Sequence, residues 1–137
     1  MNVAAGVETY PLTAPEHIVI VRQKVRQRAV ELGFSLVDQT KIVTAASELA
    51  RNTLTHGKGG EMQWELLSDG ERRGLRLVFV DEGPGIPNVA LALTDGWSTG
   101  TGLGMGLSGA RRLVNDFSIE SQVSKGTRVS IARWTGA

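Results

Sequence analysis

Three short segments of the 137-residue chain carry groups suited to one kind of chemistry: Glu48-Leu-Ala-Arg-Asn52, Asp81-Glu-Gly-Pro-Gly85 and Gly100-Thr-Gly-Leu-Gly-Met-Gly-Leu107. Glu48 and Asn52 stand four residues apart, so on a helix they share a face. A carboxylate there can take a proton from an attacking hydroxyl. A carboxamide oxygen beside it can ligate Mg²⁺, which prefers oxygen and shares its sphere with phosphates and water. Arg51 is near enough to help with phosphate or an acceptor. Asp81 follows the apolar run 75–80, so its carboxylate emerges from a buried strand. It can accept a hydrogen bond from the exocyclic amine of adenine, where guanine offers a repelling carbonyl. Gly83, Pro84 and Gly85 make a turn that lets backbone approach a ligand closely. Gly100, Gly102, Gly104 and Gly106 alternate ahead of a helix, whose first N–H groups form an anion site. Each segment alone has an ordinary reading as well: a solvated polar pair, a strand-ending turn, a flexible loop. In combination they point to an ATP-dependent phosphotransferase.

These groups need elements to hold them. An edge strand is expected over Val7 to Leu12. A helix follows from about Ala14 to Leu32, with Ile18, Val21, Val25, Ala29 and Leu32 at helical spacing and Gly33 as its stop. Ser35 is an N-cap for the next helix, with Asp38 as a capping-box-like acid. That helix runs to about Thr55, with Ile42, Ala46, Leu49, Ala50 and Thr53 facing the core. Lys41, Ala45, Glu48 and Asn52 fall on its other side. Met62, Trp64 and Leu66 alternate with polar neighbours, and a turn over 68–74 leads into the strand 75–80. The glycine- and proline-marked stretch from Gly83 to about Gly102 is long for a connection in a small domain, which favours a lid over about 88–101. A helix is expected from Leu103 to Asn115, then a hairpin of 118–123 and 127–134. The predicted order is β-α-α-β-β-lid-α-β-β, in one domain over 1–137.

Composition narrows the classes. Hydrophobic residues make up 41%, and 15 basic against 14 acidic residues leave a net charge of +1. That balance gives no electrostatic case for nucleic acid or a membrane surface. The absence of cysteine excludes disulfides and Cys-ligated metal sites. Apolar runs are too short to span a bilayer and no signal peptide is visible, so the cytoplasm is expected. His17 and His56 make no metal cluster, and His56 reads as a surface or capping residue. Gly104-Met-Gly-Leu-Ser-Gly109 matches GxGxxG, but a long loop precedes it in place of a strand. No GxxxxGK[ST] occurs either, which excludes the dinucleotide and P-loop folds.

The same residues resemble the signatures of the GHKL ATPases, a superfamily that includes DNA gyrase, heat-shock chaperone ATPases and histidine kinases. Glu48…Asn52 is similar to the N box, Asp81 to Gly85 to the G1 box, Gly102 to Gly106 to the G2 box. Gly126-Thr127 resembles the late Gly-Thr whose hydroxyl supports the adenine-reading acid. The resemblance covers nearly the whole chain. It implies a Bergerat fold: an α+β two-layer sandwich, its mixed, mainly antiparallel sheet carrying helices on one face, plus an ATP lid. It implies Glu48 as general base with Arg51 assisting, Asn52 as Mg²⁺ ligand, and Asp81 as adenine reader. Gly83, Gly85 and Thr127 would complete the adenine pocket. Gly100, Gly102, Leu103, Gly104, Met105 and Gly106 would wrap the phosphates of ATP.

Within the superfamily, sensor kinases carry a phospho-acceptor histidine on a helical hairpin upstream. The 47 residues before Glu48 form none, so the acceptor is expected on another protein. The chain is most similar to the small bacterial serine/threonine kinases of anti-sigma partner switching, in particular the stressosome switch kinases. The segments 31–34, 47–52, 57–59, 81–87, 95–99 and 112–117, and the Arg133-Trp134 ending, carry that likeness. Trp97 and Met105 depart from it, where Phe and a smaller residue are usual. The implied partners are STAS-domain antagonist and scaffold proteins, and a PP2C-type phosphatase that the released kinase activates. An anti-sigma factor that sequesters a sigma factor and a non-catalytic ATP sensor are the rival readings.

Overall fold

A computed structural model describes residues 8–94 and 107–135. The chain runs β1 (Glu8–Leu12), α1 (Pro15–Glu31), α2 (Leu36–Thr55), β2 (Gly60–Asp69), β3 (Arg72–Asp81), α3 (Val89–Ala92), α4 (Leu107–Arg112), β4 (Asp116–Gln122) and β5 (Gly126–Trp134). The five strands form one sheet in the order β1-β2-β3-β5-β4, and all four pairings are antiparallel. Helices α1 and α2 pack together and onto the sheet, and α4 packs against α2. The core lies between these layers. Leu12, Val21, Val25, Ile42, Leu49, Met62, Leu75, Leu77, Phe79 and Ile131 are its largest fully buried side chains. Each such side chain contributes about 1.5–3 kcal/mol of burial free energy. No helix among the described residues is long and apolar enough to cross a membrane.

The local signals explain the ends of the elements. Helix α1 stops because Gly33 takes φ +84, which lets the Phe34 amide reach back to the Ala29 carbonyl. Helix α2 starts at Ser35, whose hydroxyl accepts the Asp38 amide. The Asp38 carboxylate does not close a capping box. It turns to Arg133 on β5, with Oδ1 2.5 Å from the guanidinium, and Arg133 also donates to the Leu113 carbonyl. That charge-assisted hydrogen bond holds the Asp38 carboxyl below the usual range, against the opposing effect of desolvation. One ion pair thus ties the start of α2 to β5 and the end of α4.

Three expectations need correction. Ala45 is fully buried, because α1 and α4 flank α2 and widen its enclosed arc to include Val43, Ala45 and Ser47. The β2–β3 connection is a two-residue turn at Gly70-Glu71, so both strands extend further than the alternation suggested. The helix expected to reach Asn115 ends at Arg112. Asn115 is drawn into the sheet instead: its amide donates to the Ala132 carbonyl and its Oδ1 accepts the Trp134 amide. Of the expected lid, 88–94 hold the short helix α3, capped by the Asn88 side chain. Residues 95–101, with Trp97, lie outside the described residues, as does the expected start of the last helix.

Candidate nucleotide site

The site is built where the C-terminal end of α2 meets the C-terminal end of β3. The pairing of Gly60 with Asp81 brings the end of β3 beside the turn that follows α2. Asp81 is nearly enclosed, with 9% of its surface exposed. Its Oδ1 accepts the Gly83 amide at 3.0 Å. Burial pushes its carboxyl above the usual range, opposed by the Gly83 amide, by His56 and by the Thr127 amide. Gly57 packs directly against this carboxylate, and a Cβ there would collide with Asp81 Cγ. Position 57 therefore has to be glycine for Asp81 to keep its place.

Asp81, Asn52 and Thr127 line one cleft, with Leu49, Thr53, His56, Phe79, Ile86, Leu107 and Val129. The lining surface is mostly apolar, with the side chains of Asp81, Asn52 and Thr127 as polar members. An apolar lining beside a buried carboxylate matches, in its chemistry, a flat heteroaromatic base with an amine on its edge. Thr127 sits opposite Asp81 in the β3–β5 register. Its hydroxyl does not meet the carboxylate, as the resemblance implied. It lies 2.8 Å from Ser121 Oγ, and the Thr127 backbone amide is the group that supports Asp81.

The turn after β3 is held from two sides. Gly85 takes φ +76, and a Cβ there would run into the Gln122 carbonyl. Its own carbonyl lies 3.1 Å from His56 Nε2. On the other side Ser121 Oγ accepts the Ile86 amide at 2.7 Å, and the Ser124 amide donates to the Pro84 carbonyl. Neither His56 nor Ser121 was singled out as a site residue from the sequence. A signal existed for each. His56 continues the four-residue spacing of Glu48 and Asn52 along α2. Ser121 continues the inward alternation of Phe117 and Ile119 on β4, with a hydroxyl where a third apolar residue would stand.

Glu48 and Arg51 lie away from this cleft lining, further back on α2. They form an i,i+3 ion pair at 3.2 Å, with 37% and 54% of their side-chain surfaces exposed. Asn52 is half-buried between the pair and the cleft. Among the described residues no group of three or more His, Asp or Glu could hold a metal by itself. A single carboxamide oxygen fits Mg²⁺ that arrives on nucleotide phosphates and keeps much of its water. Gly100, Gly102, Leu103, Gly104, Met105 and Gly106 lie outside the described residues.

Comparison with known proteins agrees with this architecture. A family model described as histidine kinase-, DNA gyrase B- and HSP90-like ATPase matches residues 37–135. The chain is 44% identical over 117 residues to serine/threonine-protein kinase RsbT of Bacillus subtilis, covering 85% of this chain and 88% of that protein. It is 31% identical over 105 residues to the anti-sigma F factor of Clostridium kluyveri, covering 72% of each. Among solved structures, the RsbU and RsbW domains of a Mycobacterium tuberculosis protein match with a TM-score of 0.63 at 21% identity, over 94% of this chain and 32% of that one. The mycobacterial sensor histidine kinase MprB matches with a TM-score of 0.56 at 21% identity, over 96% and 97%. At that identity the structural likeness concerns the fold.

Proposed function

The chain belongs to the histidine kinase-, DNA gyrase B- and HSP90-like ATPase family, and from that premise we propose an ATP-dependent protein-serine/threonine kinase of a bacterial partner-switching pathway. The observation that carries the reading is the meeting of two parts. A mostly apolar cleft includes the nearly enclosed Asp81 in its lining, and Asn52, also in the lining, leads along α2 to the half-buried Glu48. The 44% identity to RsbT over most of both chains supports the same activity.

In this mechanism the cleft seats adenine and Asp81 accepts its amine. Asn52 would supply one oxygen to Mg²⁺, which when bound would provide charge neutralisation for the transferring phosphoryl group. Glu48 separates from Arg51 and takes the proton of the acceptor hydroxyl as its oxygen bonds to the γ-phosphorus. The bond to the bridging oxygen breaks and ADP leaves. Arg51, released from Glu48, is free to pair with phosphate or with the acceptor protein. Residues 1–137 act as one kinase domain. The acceptors are STAS-domain antagonist and scaffold proteins in the cytoplasm, and the released kinase binds and activates a PP2C-type phosphatase.

The identity to an anti-sigma F factor favours one second reading, a kinase that also sequesters a sigma factor. Two measurements test these statements together. Calorimetry should give tighter binding of Mg-ATP than of Mg-GTP, and equal affinities would remove the Asp81 assignment. Capture on the tagged chain from native lysate should return STAS-domain proteins. A sigma factor in their place would select the second reading.

A further inference from the structure

Ser121 makes contacts that its place on β4 alone does not require. Its Oγ lies 2.7 Å from the Ile86 amide, 3.1 Å from the Gly126 carbonyl and 2.8 Å from Thr127 Oγ1. A serine hydroxyl has one proton to give and two lone pairs to receive with. The Ile86 amide can only donate, and the Gly126 carbonyl can only accept. If the Ser121 proton goes to Gly126, the second lone pair is filled by the Thr127 hydroxyl proton, and every group is satisfied. The alternative sends the Ser121 proton to Thr127 and leaves the Gly126 contact unmade. The first arrangement is favoured because it alone makes all three hydrogen bonds, whereas the alternative leaves two oxygens 3.1 Å apart with no proton between them.

This arrangement has a consequence for the cleft. The Thr127 proton points back at Ser121, so Thr127 offers lone pairs to the cleft. Asp81 beside it also only accepts while ionised. We propose that Ser121 is a positioning residue for nucleobase selectivity: by binding the Thr127 proton it leaves Thr127 and Asp81 both as acceptors, so that the two protons of a 6-amine find partners while a 6-carbonyl meets only lone pairs. The inference rests on the reading of the cleft as the adenine site. It adds a residue that does not touch the base and a reason why the cleft discriminates beyond the single carboxylate. Without Ser121 the Thr127 hydroxyl can turn and donate into the cleft, toward a 6-carbonyl or toward Asp81. Either motion relieves the penalty on the wrong base.

The test uses ATP and ITP, which share sugar and phosphates and differ at position 6 without the 2-amino group of guanine. Both are titrated with Mg²⁺ into the full chain by calorimetry. The wild type should prefer ATP. Ser121→Ala should narrow the ATP/ITP affinity ratio by roughly fivefold to tenfold, the scale of one neutral hydrogen bond. Ser121→Cys keeps the volume but is a weak hydrogen-bonding group, and should narrow the ratio in the same direction if the alanine variant fails to fold. Ser121→Thr restores the hydroxyl and should restore the ratio. In a Thr127→Val background, Ser121→Ala should leave the ratio unchanged. If Ser121→Ala and Ser121→Cys weaken both nucleotides by one factor, Ser121 only holds the Ile86 turn and the proposal is overturned. A wild type without preference for ATP over ITP would overturn it at an earlier step, along with the adenine reading of the cleft.

Discussion

The two ends of the candidate site are built differently. At the Asp81 end everything is fixed: the carboxylate is enclosed, Gly57 leaves it no room, and the following turn is held by His56 on one side and Ser121 on the other. At the Glu48 end Glu48 is half-buried and pairs with the exposed Arg51 on the same helix. The difference suits a transfer between two proteins. Base recognition gains from preorganisation, since no ordering is needed when the nucleotide arrives. The proposed chemical end is less enclosed, as suits an acceptor hydroxyl that arrives from another molecule.

The contrast predicts that the two ends can be damaged separately. The largest effect belongs to Glu48→Gln, which keeps shape and removes the proposed base. Phosphate transfer to a STAS-domain acceptor should fall about 10²–10⁴-fold, while calorimetry on the same preparation finds Mg-ATP binding near the wild-type value. Loss of binding together with transfer would mean that the two ends are not independent.

Next in size is Asp81→Asn. Removing a charged acceptor from an enclosed site should weaken ATP binding by about 1.5–3 kcal/mol, without a matching loss for ITP. The same substitution sharpens the contrast through pH. Asp81 has a raised pKa in the folded chain, so between the ordinary carboxylate value and that raised value the folded state holds more proton than the unfolded. Stability of the apoprotein should therefore fall as pH rises through this window. Asp81→Asn lacks that cost, so in denaturant melts its advantage over wild type should open as pH rises and close as pH falls. ATP affinity of the wild type should move oppositely, strengthening with pH as Asp81 ionises. An advantage that grew on acidification would contradict the burial of this carboxylate.

The smallest effect is expected from Arg51→Ala. An exposed i,i+3 pair contributes about 0.2–0.5 kcal/mol, so thermal stability should barely change. Transfer should drop more than stability does, if Arg51 serves phosphate or acceptor once Glu48 releases it. Equal small changes in both would leave Arg51 as a surface residue.

Much of this could be read from the chain because its signals are local. Helical spacing places Val21, Val25 and Ala29 inward on α1, and Ser35 marks the start of α2 by its own hydroxyl. The motif residues Asn52, Asp81 and Thr127 do meet in one cleft. What escaped depends on partners distant in sequence. Asp38 looks like a cap because its partner, Arg133, is 95 residues away. Ala45 looks outward until α4 is laid against α2. His56 reaches across to Gly85 and Ser121 to Ile86, contacts 29 and 35 residues apart. The hydroxyl of Thr127 shows the limit of resemblance in particular. A motif carries the residue, but its hydroxyl meets a neighbour on β4, Ser121.

The most direct test of the account is transfer of radiolabel from γ-labelled ATP. The purified chain is incubated with Mg²⁺ and a STAS-domain protein captured from its own lysate. The account predicts label on a serine or threonine of that acceptor, stable to acid, appearing at a rate that scales with the amount of chain. Label that stays on the chain itself and is lost in acid, as phosphohistidine is, or no transfer to any captured partner, would contradict it.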